Sequence, residues 1–66
     1  MIGKELRKAR KVAGLSQEQL AEKAGIHRTY VSLLERDVKS PTVEVLLRIC
    51  EALDMKASDI LKRLDE

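Results

Sequence analysis

The chain has 66 residues, 36% of them charged, with a formal net charge of +2, one cysteine and one histidine. That length accommodates one domain, expected over 1–66, with a core of marginal size. Lone Cys50 and His27 exclude a disulfide framework and a structural zinc site within one chain, and no run approaches the roughly 20 apolar residues of a membrane span. The expectation is a soluble, cytoplasmic protein with no signal peptide, membrane partner, metal, cofactor or small-molecule ligand.

Strand signals are nearly absent, and apolar residues recur at helical spacing throughout. Ile2, Leu6, Ala9 and Ala13 mark one face of a first helix, with Gly14 where a left-handed C-terminal residue is wanted. Leu15-Ser16-Gln17-Glu18-Gln19-Leu20 is a strong start signal, with Ser16 as cap, Gln19 completing a capping box and Leu15 stapled onto Leu20. A second helix is expected over Gln17 to Ala24, burying Leu20, Ala21 and Ala24 and stopped by Gly25. A third runs from Arg28 to about Arg36, with Val31 and Leu34 inward. Thr42 caps a fourth, about Val43 to Leu53, after the Asp37–Pro41 loop. Ala57 to Leu64 forms a fifth. Its cap is poorly marked: Lys56 cannot accept a hydrogen bond, which leaves Ser58 as the substitute.

Two short helices joined by a few residues that include Gly25 are the sign of a helix-turn-helix. Ala21, Gly25, Ile26, Val31 and Leu34 are all explained by packing. The outward positions of helix three, Arg28, Thr29, Ser32, Leu33 and Arg36, have no packing duty and stand as a reading head requires. Charge agrees in direction. Residues 1–39 carry nine basic and five acidic side chains, whereas 40–66 carry four and six. That polarity fits a polyanion bound at one end, or two ordinary solvated surfaces.

The text Gln17-Glu18-Gln19-Leu20-Ala21-Glu22-Lys23-Ala24-Gly25, then Arg28-Thr29-Tyr30-Val31-Ser32, Leu34-Glu35-Arg36 and Ser40-Pro41-Thr42, resembles the Xre/Cro/C1-type helix-turn-helix family. The resemblance covers roughly residues 3–64. Arg28-Thr29-Tyr30 and the short length also look similar to controller proteins of restriction–modification systems. The implied fold class is all-α, a compact five-helix lambda-repressor-like domain with helices two and three as the helix-turn-helix. Helix three would then lie in the major groove, with Arg28, Thr29, Ser32 and Leu33 facing base edges. Leu33 could instead simply cover apolar surface. Gln17, Tyr30, Arg36, Lys39 and Ser40 would hold backbone phosphates, and His27 would touch a phosphate or be a solvated turn residue. Arg10 and Glu35 match a pair that ties helix one to helix three, against the plainer reading of two solvated charges. Asp37 and Asp54 stand where the family often has glycine; aspartate visits the left-handed region more readily than most residues.

Helix four is too apolar for a helix with one wet face, with Glu44, Arg48 and Glu51 as its polar strip, and helix five adds Ile60, Leu61 and Leu64, more than one small core needs. A homodimer is the economical reading, with Val45, Leu47, Leu61 and Leu64 as its candidate interface. Cys50 reads as core filler rather than a reactive thiol. No catalytic set can be assembled from these residues. The expected function is a sequence-specific double-stranded-DNA-binding transcriptional regulator on a (pseudo)palindromic operator. The alternative is an antitoxin-like protein-interaction module on the same scaffold.

Overall fold

A computed structural model of the chain describes residues 2–64, with the side chains of residues 2–62. Five helices follow in order: α1 (Ile2–Val12), α2 (Gln17–Ala24), α3 (Arg28–Glu35), α4 (Val43–Ala52) and α5 (Ala57–Leu64). No strand occurs among the described residues. Each helix lies within one residue of its sequence prediction. The excess fell at C-termini, where Ala13, Arg36 and Leu53 continue the apolar or helical pattern but leave helical geometry. Ala13, expected on the inner face, is therefore exposed.

All four interhelical turns that begin a connection have the same hydrogen-bonded form. After α1, Gly14 N–H donates to Lys11 O (3.0 Å) and Leu15 N–H to Arg10 O (3.1 Å). After α2, Gly25 and Ile26 donate to Glu22 and Ala21 in the same way. Asp37 and Val38 donate to Leu34 and Leu33 after α3, and Asp54 and Met55 to Glu51 and Cys50 after α4. This is the Schellman stop, which needs one residue at positive φ. Glycine supplies it at Gly14 (φ 74°) and Gly25 (φ 70°), and aspartate supplies it at Asp37 (φ 59°) and Asp54 (φ 55°). The residue after each stop is apolar, and Leu15, Ile26 and Met55 turn back onto the core.

The helix starts are equally local in origin. Ser16 Oγ accepts from Gln19 N–H while Ser16 N–H donates to Gln19 Oε1, the reciprocal capping box the sequence predicts. Thr42 Oγ1 accepts from Val45 N–H at 3.1 Å. At α5 the sequence reading is corrected: Lys56 is the cap residue, and Asp59 Oδ2 accepts its backbone N–H at 3.1 Å. The carboxylate of the third helical residue thus makes the reach-back half of a capping box, a bond Ser58 does not supply, and its negative charge suits a helix N-terminus.

The core is Leu6, Ala9, Leu20, Ala21, Ala24, Val31, Leu34, Leu46, Ile49, Cys50 and Ile60. α3 packs on α1 and α2, α2 on α4, and α5 on α1 and α4, so α1 and α4 back the α2–α3 pair and α5 joins those two. Burial, and then the charge of Asp59, pushes the Cys50 thiol up from 9.0. The residue fills the core as a small hydrophobe. α4 is less uniformly buried than its composition suggests: Leu46, Ile49 and Cys50 are inside, whereas Val43 and Leu47 are 75% and 53% exposed. Among the described residues, no helix is long and apolar enough to cross a membrane.

Candidate nucleic-acid interface

The helix-turn-helix angle is fixed from behind. Val31 and Leu34, both 1% exposed, hold the inner face of α3, and Leu20, Ala21 and Ala24 hold that of α2. With the inner positions occupied, Arg28 and Thr29 stand exposed at the start of α3, and Ser32 and Leu33 lie half-buried one turn later. Gln17, Arg28, Thr29 and Ser32 line one shallow concavity between the start of α2 and the outer face of α3. Arg36, Lys39 and Ser40 are exposed beyond the C-terminus of α3. Tyr30 differs from these: it is half-buried and packed against the core. His27 is the cap residue of α3, exposed and without a side-chain capping bond.

Beneath this face lies a buried polar clamp. Arg10 Nε donates to Glu35 Oε2 at 2.6 Å and Nη2 donates to Oε1 at 3.0 Å, a two-point contact between α1 and the end of α3. Arg10 Nη1 donates to Leu15 O at 2.8 Å, which adds the α1–α2 turn. Gln17 Nε2 donates to Glu35 Oε1 at 3.2 Å, which adds the start of α2. The two charged residues are only 8% and 9% exposed, so the reading of two solvated charges does not hold. The hydrogen bond to Glu35 raises the Arg10 guanidinium above its ordinary value, against the opposing effect of burial. One guanidinium thus joins three segments, and the planar fork of arginine is suited to this.

Gln17 is therefore tied inward as well as facing the concavity. The second N–H of its amide is left over from the Glu35 bond. The capping box accounts for the N–H groups of Ser16 and Gln19, leaving those of Gln17 and Glu18 at the positive end of the α2 dipole.

A second link between α1 and the end of α3 has no counterpart in the sequence reading. Gly3 is buried, and its N–H donates to Asp37 Oδ1 at 3.0 Å across 34 residues. A Cβ at Gly3 would meet the carbonyl oxygens of Leu34 and Glu35, the latter at 2.6 Å. Only glycine lets the start of α1 approach the C-terminal turn of α3 so closely. A glycine in the first turn of a helix that needs no bend was the available signal.

The candidate dimer residues are distributed unevenly. Leu47 and Leu61 are 53% and 50% exposed on α4 and α5. Val45 is half-buried and packs against the core, and the side chain of Leu64 lies outside the described residues.

Two short helices crossing at a glycine turn, with the outer face of the second left free, define a helix-turn-helix domain. The chain belongs to the Xre-type helix-turn-helix family, whose model, described as helix-turn-helix, matches residues 6–60. It is 36% identical over 67 residues to the transcriptional regulator SinR of Bacillus licheniformis, spanning all of this chain and 60% of that protein. It is also 36% identical over 63 residues to control protein C.SmaI of Serratia marcescens, covering 96% of this chain and 75% of that one. The chain thus spans somewhat under two thirds of SinR and three quarters of the control protein.

Among solved structures it superimposes on SinR, the master regulator for biofilm formation, in complex with DNA. The TM-score is 0.87 at 35% identity, over 92% of this chain and 98% of that one. The P22 c2 repressor bound to a synthetic operator gives a TM-score of 0.85 at 29% identity, over 94% of each chain. The fold is all-α and of the phage-repressor type.

Proposed function

We propose that this chain is a sequence-specific double-stranded-DNA-binding transcriptional regulator, with residues 1–66 as a single helix-turn-helix domain. The observation that carries this reading is the outward face of α3, free of packing and held rigid by the core and the Arg10–Glu35 clamp. Similarity to two regulators solved in complex with DNA supports it.

α3 enters the major groove, an eight-residue helix about 12 Å long in a groove about 12 Å wide. Arg28 bonds guanine O6 and N7 together, and Thr29 and Ser32 present hydroxyls to base edges. Leu33 contacts a thymine methyl or simply covers apolar surface. Gln17 uses its remaining amide N–H, with the free backbone N–H groups of α2, to seat one phosphate. Arg36, Lys39 and Ser40 hold phosphates beyond the far end of α3, with His27 and the Tyr30 hydroxyl as further phosphate contacts. The chain acts as a homodimer through α4 and α5, whose exposed Leu47 and Leu61 form its contact. Two-fold symmetry then matches a (pseudo)palindromic operator with half-sites about 34 Å apart.

The test is the salt response of binding to random duplex DNA. Neutralising several phosphates makes log K fall with log salt at a slope near −0.9 per phosphate. A flat response, or no duplex binding at low salt, favours the protein-interaction module instead.

A further inference from the structure

Asp37 stands one residue past the cap of α3, in the left-handed conformation that ends the helix, and is exposed. Its acid charge lies between Arg36 and Lys39, the two bases expected at a phosphate, where a carboxylate is electrostatically unwelcome. The carboxylate is nevertheless engaged: Oδ1 accepts the backbone N–H of Gly3 at 3.0 Å. That N–H is among the first of α1 and has no partner within its own helix. The positive end of the α1 dipole also faces the carboxylate there. Gly3, by lacking a Cβ, allows the approach.

The same turn carries the next two residues. Val38 N–H and Lys39 N–H both donate to Leu33 O, at 3.0 and 3.3 Å. The backbone from Asp37 to Lys39 is thus fixed to α3 on one side and to α1 on the other.

We infer that Asp37 is a positioning residue for DNA binding: its bond to Gly3 holds the α3–α4 turn so that Lys39 is ordered before it meets a phosphate. The inference rests on the function proposed above. Ordering a lysine-bearing loop in advance removes part of the cost of immobilising it in the complex.

Two uncharged replacements separate this role from simple charge. Asp37→Asn keeps an acceptor oxygen and tolerates positive φ, whereas Asp37→Gly keeps the turn and loses the acceptor. Both remove the same negative charge. The experiment measures dissociation constants on one selected duplex, at a temperature where thermal melts show every variant folded, with and without Lys39→Ala.

Asp37→Asn is expected to bind at least as tightly as the unaltered chain, and Asp37→Gly about three- to tenfold more weakly than Asp37→Asn. Lys39→Ala should then cost several-fold more in the Asn background than in the Gly background. Equal affinities for the Asn and Gly variants, or an equal effect of Lys39→Ala in both, overturn the inference while leaving DNA binding intact. An unaltered chain that does not bind duplex DNA overturns both. Should Asp37→Gly fail to fold, Asp37→Ser, whose shorter side chain cannot reach Gly3, takes its place with the same expected ordering.

Discussion

Among the described residues Arg10 and Glu35 are the side-chain pair withdrawn from water, and each is the other's main compensation. Such pairs fix geometry more than they add stability, yet deleting one member strands a buried charge. Arg10→Ala and Glu35→Ala are each expected to cost about 3 kcal/mol, measured by urea unfolding. Lys8→Ala, on the exposed face of the same helix, should change stability by less than about 0.5 kcal/mol. Equal unfolding midpoints for all three would remove the clamp from the account. The pairing was legible in the sequence only through family resemblance. Glu35 lies four residues after the inward Val31, but nothing in the local pattern says that its charge is met by Arg10 rather than by water. Gln17 and Asp37 were harder still: their hydrogen-bond partners lie 18 and 34 residues away, and no periodicity reports such bonds.

At the scale of elements the sequence was far more informative, because each helix boundary is set within a few residues. Ser16–Gln19 and Thr42 start α2 and α4 through bonds of sequence separation three. Gly14 and Gly25 stop α1 and α2 in the left-handed region. The two aspartate stops test what glycine would add. Among the described residues no partner holds the exposed Asp54 side chain as Gly3 holds Asp37, so Asp54→Gly relieves an unfavourable φ without losing a bond. It should stabilise the chain by about 0.5–1 kcal/mol in the same urea assay. A destabilised Asp54→Gly variant would mean that the carboxylate contributes more at the end of α4 than its conformation costs. The cap of α5 is not legible at the cap residue itself, because the bond comes from Asp59, three residues on, reaching back to the Lys56 N–H.

The described residues span 29 × 24 × 21 Å, and two of their surfaces differ in character. One carries the outer face of α3 with the exposed bases Arg28, Arg36 and Lys39, and the other carries the exposed leucines of α4 and α5. If those leucines join two copies, Leu47→Glu should yield a monomer by sedimentation and weaken operator binding far more than binding to a half-site. Unchanged sedimentation would place the contact elsewhere. The excess of apolar residues in α4 pointed toward this surface, but only the three-dimensional packing separates Leu47, which faces solvent, from Val45, which leans on the core.

If α3 reads bases while its flanks only hold the backbone, Arg28→Ala and Lys39→Ala must differ when each is profiled against a randomised operator library. Arg28→Ala should lose about 1–3 kcal/mol and relax preference at one base pair in each half-site, whereas Lys39→Ala should weaken every sequence alike. A uniform loss for both variants, with base preferences unchanged, would contradict the assignment of Arg28 to base reading.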